Sequence, residues 1–455
     1  MSSNNLLENI EYIKKIHREG KLTVALCEEF LNSLTLLTVK HDALENSEFL
    51  KHLKSPEKDM NIIHVAGTNG KGSVCSYVAS ILGHAGFRVG MFTSPHLVSI
   101  TERFRIDGKD VENDIFVESF WNILNGIEDF QKEQAHKDYF PAYFEYLFFM
   151  AMIIYKEMQV DYLVLETGLG GRFDVTNIIE EPKVSVITEI GMDHMQYLGD
   201  SYEEIAYHKA GIIKKEVPVV FFDKRPESTK IIREVADINN AKMRCITEEN
   251  IKNTMICTDV GGKSCVDFCF DSEYYNYVGL RLRGIAKYQT QNAALAISCI
   301  EELKNMGAQI SCNDIKKGLS DVVWPCRMEE IKPGFIVDGA HNTDGIEAFL
   351  DSAREIDLGG RKILLFGAVS DKQYKKMASM ICESKIFDEI AVSCLETGRS
   401  LDKKSLKDAF SIVGNVTFYD SVNEALDYIY SVRKDNDLIF AAGSLYLAGQ
   451  LRGDL

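Results

Sequence analysis

His64-Val65-Ala66-Gly67-Thr68-Asn69-Gly70-Lys71-Gly72-Ser73 decides the fold of this 455-residue chain. Asn61 to Ala66 is an apolar run of strand length. After the loop, Val74, Val78, Ile81, Leu82 and Ala85 recur at helical spacing until Gly86 stops the pattern. The glycines therefore fall on a strand-to-helix turn, where bare backbone lets N–H groups approach an anion at the positive end of a helix. Lys71 adds a point charge, and the Ser73 hydroxyl can hold Mg²⁺. Gly67, Thr68, Asn69, Gly70, Lys71, Gly72 and Ser73 thus read as a polyphosphate cradle. The spacing is not the regular Walker A pattern, because position 65 is Val and Gly72 separates the lysine from the hydroxyl residue. A ligand-free tight turn is the alternative, and the strand, lysine, hydroxyl and helix together argue against it.

Working outward, the chain is too long for one compact core, so two or three domains are expected. With 45% hydrophobic and 26% charged residues it is an ordinary globular composition, without low-complexity runs or internal repeats. The first twenty residues mix acids with bases and lack an apolar core, unlike a secretion signal. The longest apolar run, Tyr146 to Tyr155, falls short of the ~20 residues of a membrane span. A cytoplasmic protein with no membrane partner is expected. Eleven cysteines with no Cys-x-x-Cys pair suggest reduced core thiols. A net charge of −17 argues against nucleic-acid binding, so anionic substrates must meet a few local cations.

Residues 5 to 55 read as two or three helices, with Leu26, Phe30, Leu31 and Leu34 on one face. Phe87 to Phe92, Asp161 to Leu165, Val184 to Thr188 and Val217 to Phe222 read as strands separated by helical segments. That alternation indicates a largely parallel sheet with flanking helices. Ser94, Glu166 and His194 follow strand ends on the edge that carries the cradle, where α/β sheets gather ligands. Oxygen and imidazole groups beside a phosphate cradle suggest Mg²⁺. Residues 240 to 283 look β-rich. Beyond them Gly334 to Val337, Lys362 to Phe366, Glu389 to Val392, Val416 to Tyr419 and Asp437 to Ala441 predict a second sheet. The expected organisation is α/β throughout, with a boundary near Gly284. Residues 1–283 form a P-loop-type, mostly parallel domain, and residues 284–455 a smaller Rossmann-like domain.

The chain resembles the folylpolyglutamate synthase/dihydrofolate synthase family of the Mur ligase superfamily, from about Ile10 to Arg452. The motifs that carry the likeness are HVAGTNGKGS, TSPHLVSITERFRIDG, ETGLGGRFDVTNII, GMDHMQYLGDSYEEIAYHKAGIIK, YQTQNAALA, WPCRMEE, DGAHN and GSLYLAGQ, in that order. Muramyl ligases share some of them but carry a further N-terminal domain, and only 66 residues precede Gly67. A nucleotide-binding regulator without chemistry would be expected to break Lys71, Glu166 or His194, which are all present.

The resemblance implies an ATP-dependent ligase that adds L-glutamate to a folate through an acyl phosphate, giving ADP and phosphate. It implies that Gly67 to Ser73 hold the β- and γ-phosphates and that Lys71 neutralises the migrating phosphoryl group. Asn292, Arg327, Asp338 and His341 would reach the nucleotide from across a cleft. Two Mg²⁺ sites are implied, one with Ser73, Ser94 and Glu166 and one with His194 and Lys209. The family lysine at position 209 carries CO₂ as a carbamate, and a protonated His208 beside it is expected to assist. In Gly170-Gly171-Arg172-Phe173-Asp174-Val175-Thr176-Asn177 the wording resembles that of bifunctional bacterial enzymes. Arg172, Asp174 and Val175 are therefore candidates for dihydropteroate and folate recognition, with a polyglutamylation-only enzyme as the alternative. Asp371-Lys372 and Arg399-Ser400 are loop candidates for glutamate. The partners implied are small molecules only, and a monomer is expected.

Overall fold

The computed structural model describes residues 3–38, 40–258, 263–356, 359–410 and 415–453. Its first sheet has eight strands in the spatial order Lys109–Asp110, Phe104–Ile106, Val89–Phe92, Tyr162–Glu166, Asn61–Ala66, Val184–Ile187, Val219–Phe222 and Met243–Ile246. The last six of these pair in parallel, and the first two form an antiparallel hairpin at the edge. Parallel strands must be covered on both faces. Alternate residues accordingly enter different cores: Ile62, Leu163 and Leu165 join one cluster, and Ile63, Val65 and Val164 the other.

The helices Val24–Leu37, Asn113–Phe130 and Tyr143–Glu157 supply the first cluster, whose aromatic side chains include Phe116, Phe120 and Phe148. Opposite lies the helix Lys71–His84, which starts at the cradle and buries Val74, Val78, Ile81 and Leu82. The same layer contains a three-stranded antiparallel sheet, in the order Asn276–Arg283, Ser264–Asp271, Ile251–Thr258. The helices Gln289–Asn305 and Cys312–Asp321 also pack there, through Ala293, Ile297, Ile300, Ile315 and Leu319. Ile285 and Ala286, just past Gly284, already join the core of the second sheet, while the helices that follow pack back on the first core as far as Val322.

A second sheet of six strands follows, in the order Glu329–Lys332, Phe335–Val337, Leu438–Ala442, Lys362–Phe366, Glu389–Ser393, Val416–Tyr419. All but the first are parallel. Helices such as Thr343–Glu355 and Val422–Val432 cover its two faces with separate cores. Among the described residues no helix is long and apolar enough to cross a membrane.

Candidate active site

The cradle's glycines are required by its surroundings. A Cβ at Gly67 would collide with Thr188 Oγ1, and one at Gly72 would lie 2.6 Å from the Trp324 ring. Gly70 is left-handed at φ +84°, and a Cβ there would strike Asn292 Oδ1. Neighbouring loops hold the turn in place: Thr68 N donates to Glu189 O at 2.8 Å, and Thr188 Oγ1 donates to Asn69 O at 2.6 Å. Among the described residues the N–H groups of Lys71, Gly72 and Ser73 have no acceptor. They form the open, electropositive end of a 14-residue helix, a ready anion site.

Glu166 ends its strand 3% exposed, with Oε1 3.7 Å from Lys71 Nζ and Oε2 accepting from Ser94 N at 3.2 Å. Burial pushes this carboxyl up, while the charges of Lys71 and Arg327 oppose the shift. Ser73 Oγ accepts from Gln289 Nε2 at 3.1 Å, and Gln289 Oε1 accepts from Asn292 Nδ2 at 2.9 Å. Ser73, Ser94 and Glu166 line one cleft at the carboxyl ends of parallel strands.

Lys209 lies on the helix Tyr202–Ala210, buried, and donates to Gly67 O at 2.6 Å. Burial, and then the charge of Lys71, bring its pKa down to about 7 against the pull of Asp193, Asp174 and Glu166. His208 is also lowered, first by burial and then by Arg172 and Lys209. Its ring lies beside Phe173, and the downward shift works against the protonated His208 that the sequence offered. For His194, whose side chain is still 42% exposed, partial desolvation outweighs the neighbouring Asp193 and takes the imidazole to about 4, leaving it neutral and able to act as a ligand.

Asp193 is the residue that sequence reasoning passed over. Lys372 Nζ donates to it at 2.6 Å, Asn342 Nδ2 donates at 3.2 Å, and His341 Nε2 lies 3.5 Å away, all from the second half of the chain. Burial alone would raise Asp193. The hydrogen bond from His341 and the charges of His341 and Lys372 instead hold it well below the usual carboxylate range. Asn342 also exchanges amide hydrogen bonds with Asn69, at 2.9 and 3.3 Å, so DGAHN touches the phosphate loop directly. The only signal for Asp193 and Asn342 was their membership in GMDHM and DGAHN.

Asp338 is buried. Its Oδ2 accepts from Tyr288 Oη at 2.7 Å and Met328 N at 2.9 Å, its Oδ1 accepts from Ala340 N at 2.8 Å, and burial pushes its carboxyl up. Arg327 Nη1 donates to Cys326 O. Arg327, Asp338, His341 and Lys372 face Lys71, Glu166, His194 and Lys209 across one cleft of about 1400 Å³.

The Mur ligase middle domain model matches residues 125–300, and the Mur ligase, glutamate ligase domain model matches residues 326–445. A dihydrofolate synthase/folylpolyglutamate synthase of Bacillus subtilis is 33% identical over 410 residues, covering 89% of this chain and 93% of that protein. The chain belongs to the folylpolyglutamate synthase/dihydrofolate synthase family. A folylpolyglutamate synthase of Lacticaseibacillus casei is 29% identical and covers 94% of this chain and 97% of its own. Among solved structures, Mycobacterium tuberculosis folylpolyglutamate synthase complexed with ADP and AMPPCP superposes with a TM-score of 0.83, at 27% identity over 94% of this chain and 97% of that one. E. coli FolC in complex with DHPP and ADP gives 0.82, at 28% identity over 95% and 97%.

The ETGLGGRFDVTNII loop of this family member has a definite internal order. Asp174 Oδ2 accepts from Gly168 N and Leu169 N, and Oδ1 from Thr176 N and Thr176 Oγ1, at 2.6 to 3.1 Å. The carboxylate thereby braces its own loop, and Val175 beside it lines the cleft. Arg172 does not pair with Asp174. Its guanidinium stacks 3.9 Å from the Tyr207 ring, outside the cleft lining, with Nε buried and unpartnered.

Proposed function

We propose that this protein uses ATP to join L-glutamate to the carboxylate of a pterin-bearing acid, extending tetrahydrofolate and also glutamylating dihydropteroate, as a monomer in the cytoplasm. A carboxylate is a poor electrophile. Transfer of the γ-phosphoryl group to its oxygen gives an acyl phosphate; the glutamate amine then attacks the carbonyl and phosphate leaves. The chain's task is positioning and charge neutralisation.

The open N–H groups of Lys71, Gly72 and Ser73 would take the polyphosphate, and Lys71 Nζ would neutralise the migrating group. Asn292, packed against Gly70, with Arg327, Asp338 and His341 opposite, would enclose the nucleotide. The donor set at Ser73, Ser94 and Glu166 is hard oxygen and fits Mg²⁺, and His194 with a carbamate on Lys209 fits a second ion. Bound there, Mg²⁺ would offset phosphate charge. Lys209 supports the carbamate reading because CO₂ adds only to a neutral amine, and its pKa near 7 supplies one at physiological pH.

On the helix Val24–Leu37, Glu28, Asn32 and Thr35 fall on one face and line the cleft with Phe144 and Val175. An aromatic wall with polar groups opposite suits a pterin ring. The observation that carries the proposal is the single cleft in which an empty anion cradle, a buried glutamate and a neutral-leaning lysine face cations from the second sheet. Acceptor labelled with ¹⁸O in its carboxylate tests the chemistry. One labelled oxygen should appear in released phosphate for each glutamate added, and unlabelled phosphate would rule out the acyl phosphate.

A further inference from the structure

The three-stranded sheet carries a thiol pair that ligation does not use. Cys257 and Cys265 stand directly opposite each other on the adjacent strands Ile251–Thr258 and Ser264–Asp271, with sulfurs 3.0 Å apart. Asp267, two residues along the same face, brings a carboxylate oxygen within 4.8 Å of both sulfurs. This trio has the residue types of a soft-metal site, yet the Asp267 carboxylate is already gripped by the Arg281 fork, Nε to Oδ1 and Nη2 to Oδ2, both at 2.6 Å. Two sulfurs beside a guanidinium do not make a four-coordinate zinc site.

We propose that Cys257 and Cys265 are a redox pair that closes to a cross-strand disulfide when a hydroperoxide reaches it. Opposed residues of antiparallel strands keep their Cα atoms about 4.5–5.5 Å apart, inside the span a disulfide bridges, so the bond forms without moving the backbone. Cys257 is half-buried, and Cys265 is buried. Burial and the hydrogen bond with Cys257 push the Cys265 thiol up, and Cys257, the less covered of the two, is the one a peroxide reaches first. Its sulfur takes one peroxide oxygen, and the O–O bond breaks to release hydroxide. The Cys265 sulfur then attacks the resulting sulfenic acid: the S–O bond breaks, the S–S bond forms, and the Cys265 proton leaves with the hydroxyl as water. Two thiols lose two electrons and the peroxide gains them.

The bond fixes a strand that borders the cleft, since Ile251 and Thr254 line it and Ile256 packs between two cores. The test is peptide mapping of the full-length protein after hydrogen peroxide treatment, without reductant. A Cys257–Cys265 linked peptide should appear, reversible by dithiothreitol, and the denatured protein should titrate two thiols fewer than the eleven of the sequence. Cys257→Ser and Cys265→Ser should each abolish that peptide. The proposal is overturned if both thiols stay alkylatable while exposed Cys312 is consumed, or if reduced protein retains zinc on the pair and yields no linked peptide.

Discussion

Burial of the Lys209 amine against Gly67 O has two consequences that depend on protons in the same direction. With a folded pKa near 7 and an unfolded value near 10.5, the unfolded chain holds a proton that the folded one lacks between those limits. Stability therefore rises with pH across about pH 7 to 10.5. Carbamylation needs the same neutral amine, so activity should fall as pH drops through 7. Bicarbonate-depleted protein should lose activity and regain it when bicarbonate returns. Indifference to bicarbonate, with a free amine at Lys209 in an electron-density map, would count against the carbamate. Lys71 is a separate case. It is the first residue of its helix, mostly covered, and lies 3.7 Å from buried Glu166. Lys71→Ala should lower ADP release about 10²–10³-fold, because the developing phosphoryl charge loses its cation, while circular dichroism stays native. Residue identities were legible from the motifs, but orientations were not. Nothing in GGRFDVTN says that Asp174 spends both oxygens on its own loop while Arg172 turns onto Tyr207.

The strand-to-helix turn is the element most constrained by neighbours outside it. Gly70 holds a left-handed φ, and any Cβ there meets Asn292 on a helix more than two hundred residues later. Gly70→Ala should cost about 1–2 kcal/mol in backbone strain and push Asn292 aside. Calorimetry with ADP should show weakened binding alongside a lower melting temperature; unchanged affinity would mean that the loop is not the nucleotide cradle. Strands of both sheets were readable because buried parallel strands are continuous apolar runs. The helix Gln289–Asn305 was readable too, but its partner was not. It is buried on nearly every face, so periodicity identifies a core helix without saying which sheet it covers. That is why packing on the first core continues past Gly284 as far as Val322. Within the β-rich stretch 240 to 283 the strand Ile251–Thr258 was not resolved by itself, because only part of it is shielded and its alternation is weak.

Across the whole molecule, Asp193 is one of the points where the halves are pinned, receiving Lys372, Asn342 and His341 together, with Asp344 taking Arg225 and Met192 N nearby. Its depressed pKa makes that pinning fully present above the unfolded carboxylate value near 4 and lost as pH falls below it. Lys372→Ala should remove a charge-assisted hydrogen bond of about 1.5–3 kcal/mol, and small-angle scattering should show a more open particle. An unchanged profile would mean that the halves are held by something else. No reading of one sequence pairs Lys372 with Asp193, since they are 179 positions apart and only the closed cleft joins them. The account as a whole rests on what that cleft ligates. Purified protein with ATP, Mg²⁺, bicarbonate and labelled glutamate should be given tetrahydrofolate, dihydropteroate and a muramyl acceptor, each scored by mass. We expect the two pterin acids to gain glutamate, with one ADP released per residue added and neither product nor ADP without glutamate. Glutamylation of the muramyl acceptor alone, or no acceptor gaining mass, would contradict the account; extension of tetrahydrofolate with dihydropteroate untouched at millimolar concentration would remove the dual activity and leave polyglutamylation.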